Sequence, residues 1–215
     1  METTKNTDVA TTSKRISAYL IDIFFIFILI GLISEIRFIN PQYDEYTKAY
    51  ENYNQIVEDY TNELITAEEF NDLYNENYYH VSKYSLSYNI VIIVVIILYF
   101  GVFQKYNNGQ TIGKKLMKIR VVGNEESVGL MKYILRTLPI YFVYIGGILP
   151  VIINSVLVFI LNENNYINIS MIVSYIFLMI SIISFVMIRF RQDRRGLHDL
   201  LANTKVIYEE NKTHD

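Results

Sequence analysis

Four long apolar stretches constrain this chain more than any other feature in it. About 20 apolar residues of helix are needed to cross the roughly 30 Å of bilayer hydrocarbon. Blocks of that kind predict spans at 14–40, 85–104, 138–161 and 168–188. Hydrophobic residues make up 52% of the chain. A soluble domain carrying four such blocks would lack the polar sequence to cover them. The polar tail 1–13 leads through Lys14 and Arg15 into the first block. That block is too long for a secretory leader and has no small-residue cleavage site, so it reads as a retained span. The expected fold class is an all-α integral membrane protein with four transmembrane helices.

Charge sets the expected direction. All of the 19 Lys and Arg except Arg37, Lys48 and Lys83 fall before or at the very start of the first block, between the second and third, or after the fourth. Positive loops stay cytoplasmic, so both ends and the middle segment are expected inside (N-in/C-in). The chain has no cysteine, which excludes disulfides, thiol catalysis and cysteine-ligated metal. Three widely separated histidines, His80, His198 and His214, give little basis for a metal site. No nucleotide loop, nucleophile–base pair or cofactor motif is present, so an enzyme is not expected, nor is a cofactor.

The segment 41–84, expected outside, is acidic and rich in tyrosine. Tyr43, Tyr46, Tyr50, Tyr53, Val57, Tyr60 and Leu64 recur at steps of three and four, the stripe of one helix face. Thr66-Ala67-Glu68-Glu69 has the form of a capping box that opens a second helix, with Phe70, Leu73, Tyr74, Asn77 and Val81 as its inward stripe. An external antiparallel helical hairpin is predicted. Its tyrosines either pack the hairpin or present a surface to a protein partner.

The segment 105–137 is basic. Gly109 to Lys114 superficially resembles a phosphate loop, but one residue is missing between its glycines and Lys115 replaces the Ser or Thr, so that reading fails. Lys118–Val122 alternates polar and apolar residues and ends in a Gly123-Asn124 turn, and Thr204–Tyr208 is a second strand candidate. The two are expected to pair as a small cytoplasmic ribbon. Between Val128 and Thr137, Leu130, Tyr133, Ile134 and Leu138 oppose Lys132 and Arg136, a pattern expected to lie on anionic lipid and not on nucleic acid.

Asp22 is the charge that most needs a reason. It stands seven residues, about two turns, after Arg15 on the same face. A carboxylate in hydrocarbon normally pairs or lines a polar path. It either forms a structural ion pair, with Arg194 or Arg195 as candidates, or carries protons or cations. Ser170, Ser174, Ser181 and Ser184 share one face of the fourth block, where small residues favour close packing. Asn154 and Ser155 lie beside Pro150, which is expected to distort the third span.

Three stretches carry a resemblance to a known family. They are Arg15-Ile16-Ser17-Ala18-Tyr19-Leu20-Ile21-Asp22, then Gly109-Gln110-Thr111-Ile112-Gly113-Lys114-Lys115-Leu116, and Arg195-Gly196-Leu197-His198-Asp199-Leu200-Leu201-Ala202. In this order they resemble the RDD family of bacterial membrane proteins. The resemblance implies a multi-pass protein of the bacterial plasma membrane, with Arg15, Asp22 and Asp199 as the eponymous residues and Arg194, Arg195 and His198 beside them. It also implies transport, with monovalent cation/proton antiport proposed for some members. The expected function is transport of protons or small cations through Asp22, in a homo-oligomer because four helices make a thin wall. A non-transporting scaffold, accessory or immunity-type protein that binds a partner through the external hairpin is the alternative.

Overall fold

A computed structural model describes residues 9–123, 128–139 and 147–209. Lys5, Lys212, His214, Asn124 of the expected turn and Gly146 of the third block lie outside these residues. The described chain is mostly helical with one two-stranded sheet. Its helices are α1 (Thr12–Ser34), α2 (Tyr43–Thr61), α3 (Ala67–Tyr84), α4 (Leu86–Tyr106), α5 (Ile112–Leu116), α6 (Leu130–Thr137), α7 (Ile148–Ile160), α8 (Glu163–Phe190) and α9 (Leu197–Leu201). Strand β1 (Ile119–Gly123) pairs antiparallel with β2 (Thr204–Tyr208), Val121 opposite Val206.

Among the described residues three helices are long and apolar enough to cross a membrane: α1, α4 and residues Asn165–Phe190 of α8. Leu20, Phe24 and Leu32 of α1 are each more than 60% exposed. So much bare apolar surface on one helix suits hydrocarbon and not water. Within the third expected span the described helix is α7, 13 residues, about 20 Å long; residues 140–146 lie outside the described ones. Pro150 does not distort that helix. It sits in the first turn of α7, where its missing N–H is not needed.

Helix α1 buries Ala18, Asp22, Ile26, Ile30 and Ser34, a stripe of every fourth residue down one side. Its apolar part packs against Val91, Ile92, Val95 and Ile96 of α4 and Ile148 of α7. Along α4 the turns from Ile97 to Phe103 are π-helical, and Tyr99 lies among them. Such turns change which residues face inward and recur at functional sites.

The start of α1 and the ends of α4 and α8 meet at one end of the molecule. Thr12 Oγ1 donates to the Ile188 carbonyl at 3.3 Å. The ribbon seals this end, and Ala10 N–H donates to Val206 O at 3.0 Å, so the last residues of the polar tail add to β2. Ala10, Ala18, Ile119, Val121, Tyr133 and Val206 form a small apolar core beneath.

Helices α2 and α3 pack through rings. Tyr88, Tyr46, Tyr50 and Tyr53 stack in succession at centroid separations of 5.9–6.2 Å, and Tyr53 meets Tyr74 at 5.1 Å. Tyr53 Oη also donates to Tyr74 Oη at 3.1 Å. Thr66 and Glu69 make both bonds of the capping box. The inward stripe of α3 differs from the expected one: it is Phe70, Tyr74 and Tyr78, one i, i+4 row. Leu73 is 40% exposed, and Asn77 bonds back to the Leu73 carbonyl.

Candidate functional site

Two buried carboxylates organise the end where α1, α4 and α8 converge. Asp22 is fully buried on α1. Its Oδ1 accepts from Tyr99 Oη at 2.7 Å and Gly113 N–H at 2.7 Å, and its Oδ2 accepts from Thr111 Oγ1 at 2.5 Å. Lys114 Nζ lies 3.8 Å from Oδ2 and 5.4 Å from the Phe100 ring centre.

The local sequence explains this convergence. Thr111 caps α5 by accepting from Lys114 N–H, which aims the first turn of α5 at α1. Gly113 then approaches the α1 backbone so closely that a Cβ there would fall on the Ala18 carbonyl oxygen and 2.8 Å from Asp22 Oδ1. The Gly-Lys pair that superficially resembled a phosphate loop thus binds a carboxylate of its own chain.

Asp199, also fully buried, sits in the first turn of α9. Its Oδ2 accepts from Arg15 Nη2 and from Gly196 N–H at 3.1 Å, and its Oδ1 accepts from Arg136 Nη1 at 2.5 Å. Arg136 reaches on to Thr204 Oγ1 of β2, and Arg15 donates to the Arg194 carbonyl at 2.5 Å. One carboxylate therefore ties α1, α6 and α9 together. Burial opposes the charge on Asp199, but the Arg136 and Arg15 guanidiniums more than compensate and hold its carboxyl well below the usual range. Charge-assisted bonds of this kind are about twice as strong as neutral ones.

His198 lies between the groups, with Nδ1 2.9 Å from Ser184 Oγ and Nε2 3.4 Å from Arg15 Nη2. Burial, reinforced by Arg136, Arg15 and Lys114 against the opposing pull of Asp199, pushes its pKa down to about 3. A neutral ring therefore accepts from Arg15 and donates to Ser184. Gly196 precedes it because a Cβ there would lie 2.7 Å from Ser184 Oγ.

The three eponymous residues do not form one cluster. Arg15 and Asp199 pair directly, while Asp22 binds the 111–114 segment and Tyr99. Neither Arg194 nor Arg195 pairs with Asp22. Arg194 supplies its carbonyl to Arg15, and Arg195 Nη2 donates to the Asp199 carbonyl at 3.2 Å and to Asn203 Oδ1 at 3.3 Å. Arg136 corrects an expectation. It does not face lipid but is buried on Asp199, because α6 packs on α9 and turns its Arg136 edge inward. The serine face of α8 divides likewise. Ser174 accepts from Asn154 at 3.5 Å and Ser181 donates to the Pro139 carbonyl, while Ser184 serves His198 and accepts from Leu197 N–H.

A cavity of about 350 Å³ opens beside the two carboxylates, between α1 and α8. Arg15, Lys114, Arg136 and His198 line one part of it; Ile16, Tyr19, Leu178, Ile182 and Phe185 line the rest. The Lys114 side chain, 15% exposed, is half-buried at its edge. Burial and the neighbouring Arg136 and Arg15 outweigh Asp22 and Asp199, and bring the Lys114 ammonium down to about 8. Among the described residues no group of His, Asp and Glu could hold a metal ion.

The RDD family profile matches residues 9–203 of the chain. The chain belongs to the RDD family. Its membership and its three long apolar helices make it a membrane protein. Every charged residue of the site, from Arg15 to Asp199, lies inside the matched region of this RDD protein, and Thr204 lies one residue beyond it. No curated protein and no solved structure matches it significantly.

Proposed function

We propose that this RDD protein is a proton-exchanging transporter of the bacterial plasma membrane, with the Asp22–Lys114 pair as its proton site. The observation that carries the reading is Lys114: it lies 3.8 Å from Asp22 and lines the cavity. A lysine held near pH 8 changes charge under physiological conditions, as a relay group must. Asp22 is already satisfied by three hydrogen bonds, so the exchanging proton is assigned to Lys114 and its retention to Asp22. A bare metal cation is a poor cargo for this site, since Arg15, Lys114 and Arg136 would repel it.

In this reading α7 belongs to a fourth span, both ends are cytoplasmic, and the α2–α3 pair is an external hairpin. The positive-inside distribution supports that direction. The scaffold alternative draws less support, because Tyr46, Tyr50 and Tyr53 of its tyrosine stripe stack on one another and Tyr53 meets Tyr74. The acidic faces of α2 and α3 are what a partner would meet.

The test is reconstitution of the full chain into liposomes with an entrapped pH-sensitive dye. Proton movement is expected in the wild type and strong loss in Lys114→Met and Asp22→Asn. An inert wild type, or equal movement in all three, would sink the proposal. Because the chain has no cysteine, Leu64→Cys and Leu201→Cys, both at exposed positions, test direction. Impermeant maleimide should label the first and not the second in intact cells.

A further inference from the structure

We infer that the cavity between α1 and α8 binds an anionic amphiphile from the bilayer, its oxyanion head against Lys114, Arg15 and Arg136 and its chain along α8. The inference deepens the proposed transport site by naming what shares it with the proton, and it rests on that reading for its biological meaning.

Charge is the first argument. The site holds three cationic side chains, Arg15, Lys114 and Arg136, against two carboxylates, Asp22 and Asp199, and a neutral His198. The surplus is one positive charge. Moreover the carboxylates face their donors within the protein, whereas the cations reach the cavity: its lining contains all three cations and neither Asp22 nor Asp199. A low-dielectric cavity walled by cations without a carboxylate is stabilised by an anion.

The remaining wall is apolar and opens sideways. Ile16 of α1 and Ile182 and Phe185 of α8 line the cavity and are also 37%, 46% and 46% exposed, so they form its mouth. Both helices are long and apolar enough to span a bilayer. A mouth between two such helices faces hydrocarbon, and a ligand entering there must itself be soluble in hydrocarbon. The volume of about 350 Å³ is at the low end for small-molecule sites, which run from roughly 300 to 1,000 Å³. It takes a head group and the first part of a chain, leaving the rest in lipid. An inorganic anion would satisfy the cations but leave the apolar wall unfilled, and a neutral lipid would do the reverse.

The test uses the full-length protein in neutral maltoside detergent, with thermal unfolding followed as ligand is added. Dodecyl phosphate and dodecanoate should each raise Tm with saturation. Inorganic phosphate and dodecyltrimethylammonium should not do so at the same concentrations. Lys114→Met should weaken dodecyl phosphate binding about tenfold or more, the worth of one charge-assisted bond. Ile182→Trp, which fills the mouth from an exposed position, should abolish saturation.

Saturation by inorganic phosphate alone would assign the site to a free ion and overturn the inference. So would equal effects of the cationic amphiphile, or unchanged binding in both variants. No gradient is needed here. Absent binding with intact proton movement removes this inference alone, and saturable binding without proton movement removes only the transport reading.

Discussion

The α2–α3 pair and the Asp22–Asp199 site are built on opposite principles. The helix pair repeats one residue type at regular spacing, and Tyr46, Tyr50, Tyr53 and Tyr74 follow one another in a row of rings. The site uses single residues far apart in sequence, Arg15 with Asp199 and Asp22 with Thr111 and Gly113, and joins them by charge and hydrogen bonds. Repetition distributes stability over many small contacts, each aromatic pair contributing about 0.5–1.5 kcal/mol beyond its area. A buried charge cluster concentrates it, so loss of one member strands the others. Conspicuous repetition thus marks packing here, and isolated charges mark the buried polar site.

Four tests bear on that contrast. Asp199→Asn should have the largest effect, because it leaves Arg15 and Arg136 buried against a neutral group; breaking a buried pair costs about 3–5 kcal/mol. Thermal unfolding in detergent should show a large loss of Tm, with Arg15→Lys intermediate because charge is kept and geometry lost. Gly113→Ala comes next. The new methyl meets the Ala18 carbonyl, and overpacking of this kind costs about 1–3 kcal/mol. Gly31→Ala is its control, since nothing lies within 4 Å of a Cβ there.

Acid sensitivity is the third test. His198 has a pKa of about 3 when folded, against an ordinary 6.5. Between those values the unfolded chain binds a proton that the folded chain does not, so stability falls as pH drops from 6.5 towards 3. Above 6.5 this group makes no pH-dependent contribution. His198→Gln, which keeps a donor and an acceptor, should flatten the loss measured across that window. The smallest effect belongs to the helix pair. Tyr53→Phe removes one hydroxyl contact to Tyr74 and should cost about 1 kcal/mol without altering proton movement. A large effect from Tyr53→Phe, or a small one from Asp199→Asn, would reverse the contrast.

Parts of this arrangement were legible in the sequence for physical reasons. The strands β1 and β2 show because alternation has only one structural meaning at that length, and the Thr66–Glu69 box because its bonds are local. Arg15, Asp22 and Asp199 stand out as charges in or beside apolar blocks. The donors that complete their site do not. Tyr99 is hidden in an apolar run and is placed by π-helical turns that no spacing rule anticipates. Arg136 sits on the polar edge of an amphipathic helix, and only the packing of α6 on α9 shows that this edge is buried. Thr111, Gly113 and Lys114 belong to a recognisable stretch, but their partner is 89 or more residues away. Tyr78 takes the inward place expected for Leu73 on α3 because it continues the i, i+4 row of Phe70 and Tyr74 and meets Tyr166 of α8.

Lys114, held by Asp22 at the cavity edge, is proposed to exchange protons near neutral pH. Competitive trace acetylation of the reconstituted protein, followed by peptide mass spectrometry across pH 6–11 against a free lysine peptide, reads this group directly. Lys114 faces Asp22 and Arg15 of α1, Phe100 of α4, Arg136 of α6, and His198 and Asp199 of α9. With those neighbours in place its reactivity should rise with a midpoint near 8. In Asp22→Asn, which removes the largest opposing attraction, the midpoint should move lower still. A midpoint at the ordinary lysine value of 10.5, unchanged in Asp22→Asn, would contradict the account.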